Sequence, residues 1–190
     1  MISRDELYIL SYYRASELAG ALLFGKLAMH TTLDDVRIPM TQHCCEEAQH
    51  AWLWTDTIRR LGHTPLKITR TYQNEYSTQF GMPRNTLEVF CLTQVFERRT
   101  TRHFQRHLAL PGVHPAVQET LQKMIADEVG HIGWIKRELD AYSAVHGPDE
   151  VDALIARLET IDERVYGRLL SESPYREYFG GEPWNTTSPQ

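Results

Sequence analysis

Chain breakers are few here, and they gather in knots. Nine prolines and eleven glycines in 190 residues cluster at 62 to 65 (GHTP), 81 to 83 (GMP), 111 to 115 (PGVHP), 147 to 148 (GP) and from Pro174 onward. Between the knots run segments of about twenty residues or more, which excludes a fold of many short strands and turns. Only LKITRTYQ (66 to 73) hints at an alternating strand, and it lies in a connection. Three cysteines (Cys44, Cys45, Cys91) make an odd count with no Cys-x-x-Cys pair. That excludes a disulfide frame and a rubredoxin-like iron-sulfur knuckle, and buried thiols are expected. No basic run exceeds two residues, and the net charge is -5, so nucleic acid is not an expected partner. Asp5, Glu6 and Arg14 interrupt the apolar core that a signal peptide would need. No stretch approaches membrane-spanning length, and the chain reads as soluble and cytoplasmic.

What is present is enough apolar content for one core: 42% hydrophobic against 24% charged residues. The long segments carry it at alternating steps of three and four, the period of a helix with one face on a bundle core. The first stripe is Leu10, Tyr13, Glu17, Gly20, Phe24 and Leu27. The second is Met40, His43, Glu47, His50, Trp54, Thr57 and Leu61, and the third is Leu87, Phe90, Gln94, Glu97, Thr101, Phe104 and Leu108. The fourth is Val117, Leu121, Met124, Glu128, His131 and Ile135. A fifth amphipathic helix over 149 to 170 aligns Val151, Leu154, Leu158, Ile161, Val165 and Leu169.

Each of the first four stripes has a Glu near its middle. A buried, unpartnered carboxylate costs several kcal/mol, and four would repel one another. No Lys or Arg falls on these stripes near the Glu positions, so the positive charge has to come from elsewhere. Two divalent cations balance four carboxylates, and neutral imidazole adds one nitrogen ligand per ion. Glu47-x-x-His50 and Glu128-x-x-His131 have the required spacing, because residues three apart share a helix face. Roughly one such match is expected from this composition, so the pair alone carries little. More weight rests on the order: lone Glu, Glu-x-x-His, lone Glu, Glu-x-x-His, one element per helix, as in di-iron or di-manganese bundles.

Residues 17, 47, 50, 97, 128 and 131 resemble the ligand set of the ferritin-like di-iron carboxylate superfamily. Within it the nearest likeness is to bacterioferritin, in spacing over some 130 residues and in detail over DEVGHIGWIKRELD (127 to 140). The resemblance implies an all-α, ferritin-like four-helix bundle with one long crossover between the second and third helices, for which 62 to 83 are available. With the fifth helix this would occupy 1 to 171, and 172 to 190 would be a C-terminal arm. It implies Glu17 and Glu97 as terminal ligands, Glu47 and Glu128 as bridges, and His50 and His131 each completing one iron. The cofactor expected is two iron ions, with manganese or a mixed pair also compatible with these ligands.

Departures from bacterioferritin shape the functional expectation. Ala48 stands where that family presents the Met ligand of an intersubunit haem, so no haem is expected. Phe24 replaces a tyrosine near the irons. Gly20, Ala21 and Gly25 beside Glu17 would either leave an apolar cavity or permit close helix packing. Asp127 is expected to pair with His50, and Glu46 with His131, since metal-bound histidines donate their other N–H to a carboxylate or carbonyl. His43, one turn before Glu47, is a candidate extra ligand of the kind some amine-oxidising di-iron proteins use. Thr101 resembles the threonine beside the oxygen pocket of bacterial multicomponent di-iron monooxygenases. Trp52, Trp54 and Trp134 could relay electrons, although aromatic residues at helical spacing are usually core.

The leading functional expectation is an O2-activating oxidase or oxygenase acting on a small, apolar-leaning substrate, with an external electron donor. Its alternatives are a haem-free ferroxidase for iron storage and a non-enzymatic metal-containing bundle. The oxidase reading fits a monomer or a homodimer, whereas iron storage predicts a large symmetric shell.

Overall fold

The computed structural model describes residues 1–31 and 34–180. Among the described residues the chain is all-helical, with no strand: α1 (Arg4–His30), α2 (Asp34–Arg60), α3 (Tyr72–Gln79), α4 (Thr86–Leu108), α5 (Pro115–His146), α6 (Asp149–Leu169) and α7 (Tyr175–Phe179). The starts follow local chemistry. Ser3 Oγ accepts the amide of Glu6 at 3.0 Å, and Asn85 Oδ1 that of Glu88 at 2.8 Å, which satisfies amides that have no partner inside the helix. Pro115 opens α5, where its missing N–H costs nothing, and Gly147 ends it at φ 89°, a conformation strained for other residues. The second helix begins six residues before Met40 and runs through Pro39; a proline this near the start disrupts few backbone bonds.

Helix α1 packs chiefly on α2, and α4 on α5, with α2 and α5 joining the two pairs. Arg14 meets Thr55 while Gly25 meets Cys44, so α1 and α2 run antiparallel. The pairs Glu46–His131, His50–Asp127 and Thr57–Thr120 show the same for α2 and α5. The four stripes converge: Leu10, Trp54, Phe104, Val117, Leu121, Met124 and Ile135 are all fully buried. Tyr13 packs on Trp54 and Phe104, which ties α1, α2 and α4 below the Glu level.

The connection from α2 to α4 contains no strand; the alternating stretch has no regular secondary structure up to Thr71 and then enters α3. Tyr72 and Tyr76 of α3 are buried, and both hydroxyls donate to Asp162 of α6. The fifth helix read from the sequence is α6, with Val151, Leu158, Ile161 and Val165 buried. In the segment read as an arm, α7 buries Tyr175, Tyr178 and Phe179, and Phe179 stacks on His103 at 4.1 Å; residues 181–190 of that arm lie outside the described residues. Of the cysteines only Cys91 is buried; Cys44 is half-buried and Cys45 exposed on the outer face of α2, so the expectation of three buried thiols holds for one. Among the described residues no helix is long and apolar enough to cross a membrane.

Candidate metal centre

The polar residues of the four stripes meet at one level of the bundle. Glu17, Glu47, His50, Glu97 and Glu128 are between 0 and 6% exposed, and His131 is half-buried. Their inward atoms form two groups, each with ligand atoms within 4.8 Å of one another: Glu17, Glu47, His50 and Glu128, and His43, Glu47, Glu97 and His131. Glu47 belongs to both. Glu128 also faces both, with Oε1 3.4 Å from His50 Nδ1 and Oε2 3.1 Å from His131 Nδ1. The buried cluster can hold a metal ion.

Whether the residues fit a cation is decided by what they leave unsatisfied. Glu47 Oε1, Glu128 Oε1 and His50 Nδ1 are buried without a hydrogen-bond partner, and such atoms cost about 1 to 3 kcal/mol each, more when charged. Ligand atoms about 2.1 Å from one ion stand about 3.0 to 3.4 Å apart. The 3.4 Å between His50 Nδ1 and Glu128 Oε1 matches that separation.

Electrostatics says the same. Burial, then the charges of Glu17 and Glu97, pushes the Glu47 carboxyl well above its usual range. Burial, then Glu97, Glu47 and Glu17, does so for Glu128. Burial raises Glu97 too, but His43, bonded at 3.1 Å, together with a Glu128 hydrogen bond and the His131 charge, outweighs it and holds Glu97 at about 2. Without added positive charge the centre takes up protons to relieve repulsion; a cation relieves it without them.

The outer atoms of two histidines are held. His50 Nε2 lies 3.3 Å from Asp127 Oδ2 and His131 Nε2 3.0 Å from Glu46 Oε2, the two pairings read from the sequence. An N–H donated outward leaves the Nδ1 lone pair facing the centre. Asp127 is itself bonded by Lys123 at 2.7 Å. His43 differs: its inward atom is Nε2, 3.1 Å from Glu97 and 3.5 Å from Glu47, and Phe24 packs edge-on against its ring at 4.1 Å.

The small residues of α1 serve packing. A Cβ at Gly20 would overlap the Glu47 carboxylate, and one at Gly25 would lie 3.2 Å from Cys44 Sγ. Gly20 is therefore the residue that lets Glu47 stand inside the bundle, and of the two alternatives for these small residues close packing holds, with only a 20 Å³ hollow left beside Gly20. Thr101 Oγ1 is buried without a partner, but Thr101 belongs to neither group; it is Thr100, three residues after Glu97, that borders a small hollow next to Glu17, Glu47 and Glu97. The hollow also touches Gln73 of the crossover. No helical period could place Gln73 there, because its position depends on how the connection folds. Trp54 is core, Trp134 packs edge-on to Phe90, and Trp52 is 64% exposed.

Compared with family models, curated proteins and solved structures, the chain matches none.

Proposed function

We propose that this protein is a ferritin-like di-metal carboxylate oxidase or oxygenase, holding two iron ions, or manganese in one or both positions, between α1, α2, α4 and α5. The observation that carries the reading is Glu47, a buried carboxylate shared by two four-residue ligand groups on four helices. Glu17 and His50 would hold one ion and Glu97, His131 and His43 the other, with Glu47 and Glu128 between them. When bound, the pair supplies the redox chemistry that activates O2 and oxidises a small organic substrate. Four carboxylates would neutralise two divalent ions, Asp127 and Glu46 hold the outer nitrogens of two imidazoles, and Phe24 packs on the His43 ring.

A second reading, a ferroxidase for iron storage, is favoured by one feature. A 710 Å³ groove between α2 and α5 exposes Glu46 and Asp127 beside His50 and His131, and acidic groups there would attract cations. Anaerobic loading with Fe(II), followed by metal analysis, oxygen consumption and light scattering, separates the readings. Two metals per chain in a small assembly that consumes O2 and forms no ferric mineral supports the oxidase. A mineral core inside a large shell establishes the ferroxidase, and fewer than two metals per chain overturns both.

A further inference from the structure

Between α1, α3 and the start of α4 lies a 150 Å³ cavity with an apolar wall that includes Ala19, Leu23, Tyr76, Phe80, Leu92 and Phe96. Its rim, at Ser77, Gly81 and Met82, is exposed. Leu23, Gln73 and Phe96 line both this cavity and the 20 Å³ hollow that touches Glu17, Glu47 and Glu97. These three side chains form the common wall between the surface cavity and the hollow on the carboxylate side of the centre. The larger α2–α5 groove reaches the centre from the other side, where the carboxylate-bound Nε2 atoms of His50 and His131 face it.

Size and polarity define what fits. A cavity of about 150 Å³ with an apolar lining takes a molecule of about benzene's size, and about 10 to 15 Å³ suffices for one further heavy atom such as a water oxygen. Gln73 stands at the junction. Its Nε2 donates to the Ser16 carbonyl at 3.2 Å, while its Oε1 is buried with no donor. An acceptor left so in an apolar wall is satisfied by a ligand that brings an O–H. Three carboxylates bordering the hollow disfavour an anion.

We propose that this cavity binds a small neutral aliphatic alcohol of about six heavy atoms, whose hydroxyl donates to Gln73 Oε1 at the wall shared with the hollow beside Glu17, Glu47 and Glu97. Its service as a substrate site rests on the oxidase reading; its existence as a binding site does not.

Cyclopentanol and cyclopentane are the probes, titrated by calorimetry into metal-free and zinc-loaded full-length protein, with bound zinc counted separately. Cyclopentanol is expected to bind about five- to tenfold tighter than cyclopentane, the value of one hydrogen bond. Gln73→Leu should abolish that difference and keep the hydrocarbon's affinity. Ala19→Phe, at a half-buried helix position that lines the cavity, should abolish binding of both. Absence of cyclopentanol binding, or binding unchanged in both variants that retain native circular dichroism, overturns the proposal. Two zinc ions per chain without alcohol binding would sink this inference alone, whereas alcohol binding with fewer than two would sink the metal reading and leave the cavity site standing.

Discussion

Asp162 and Glu47 are both buried carboxylates, 1% and 5% exposed, in different electrostatic settings. Asp162 is surrounded by donors from its own chain: Arg99 through two nitrogens, Tyr72 and Tyr76. Arg99 in turn lies over the Tyr166 ring at 4.0 Å. Glu47 stands among Glu17, Glu97, Glu128 and three histidines, with no Lys or Arg in either group, and one of its oxygens has no hydrogen-bond partner. The first cluster is complete and locks α3, α4 and α6 together. The second is complete only with charge from outside. A buried ionisable group thus serves structure when the chain supplies its partner and points to a ligand when it does not.

The contrast can be broken most strongly at Asp162. Asp162→Ala removes the carboxylate that Arg99 and two buried tyrosine hydroxyls bond, so unfolding by denaturant should show a loss of about 3 to 5 kcal/mol, while the folded fraction still binds metal. Glu47→Gln should do the reverse. Metal-free stability is expected to hold or rise, because a crowded carboxylate is gone, but the stabilisation by metal at a hundredfold excess over Kd, about 2.7 kcal/mol, should disappear from the melting curve. A smaller effect is expected at Asp127→Ala, which frees His50 Nε2. Competition with a chelator should show metal affinity lowered by about 10- to 100-fold, and Lys123→Ala should leave it nearly unchanged.

The smallest expected effect concerns a neutral buried base. Burial, then Arg99, holds His103 well below its ordinary value of 6.5, and its ring is stacked between Tyr166 and Phe179. Below pH 6.5 the unfolded chain binds a proton that the folded chain refuses. The stability this histidine contributes is therefore full above 6.5 and is lost as pH falls toward the depressed folded value. Between pH 6.5 and 5.5 the loss is about 1 kcal/mol. His103→Phe should shrink that loss by this amount in paired denaturation curves; identical pH slopes would mean that His103 is protonated in the folded protein.

Much of this molecule is written in local pattern. The stripes through Glu17, Glu47, Glu97 and Glu128 turn inward because a 3.6-residue period leaves one face for the core. The Glu-x-x-His pairs follow from the same geometry. His43 was visible as a stripe residue, yet its contact with Glu97 depends on how α2 and α4 are spaced. Gly20 was legible as small but not as the space for Glu47, which belongs to the helix opposite. The Asp162 cluster was missed altogether: Arg99, Tyr72 and Asp162 are separated along the chain and share no periodic signal.

The sequence by itself determined the five long helices, their inward faces and the four carboxylates with two histidines, because each depends on residues within a few turns of one another; α3 and α7 were not among them. Tertiary structure alone decided which carboxylates share a neighbour, which nitrogen of each histidine faces inward, and that α3 brings Gln73 to the edge of the centre. Those outcomes are distances between separate helices, and helix packing sets them through side-chain volumes on both partners at once.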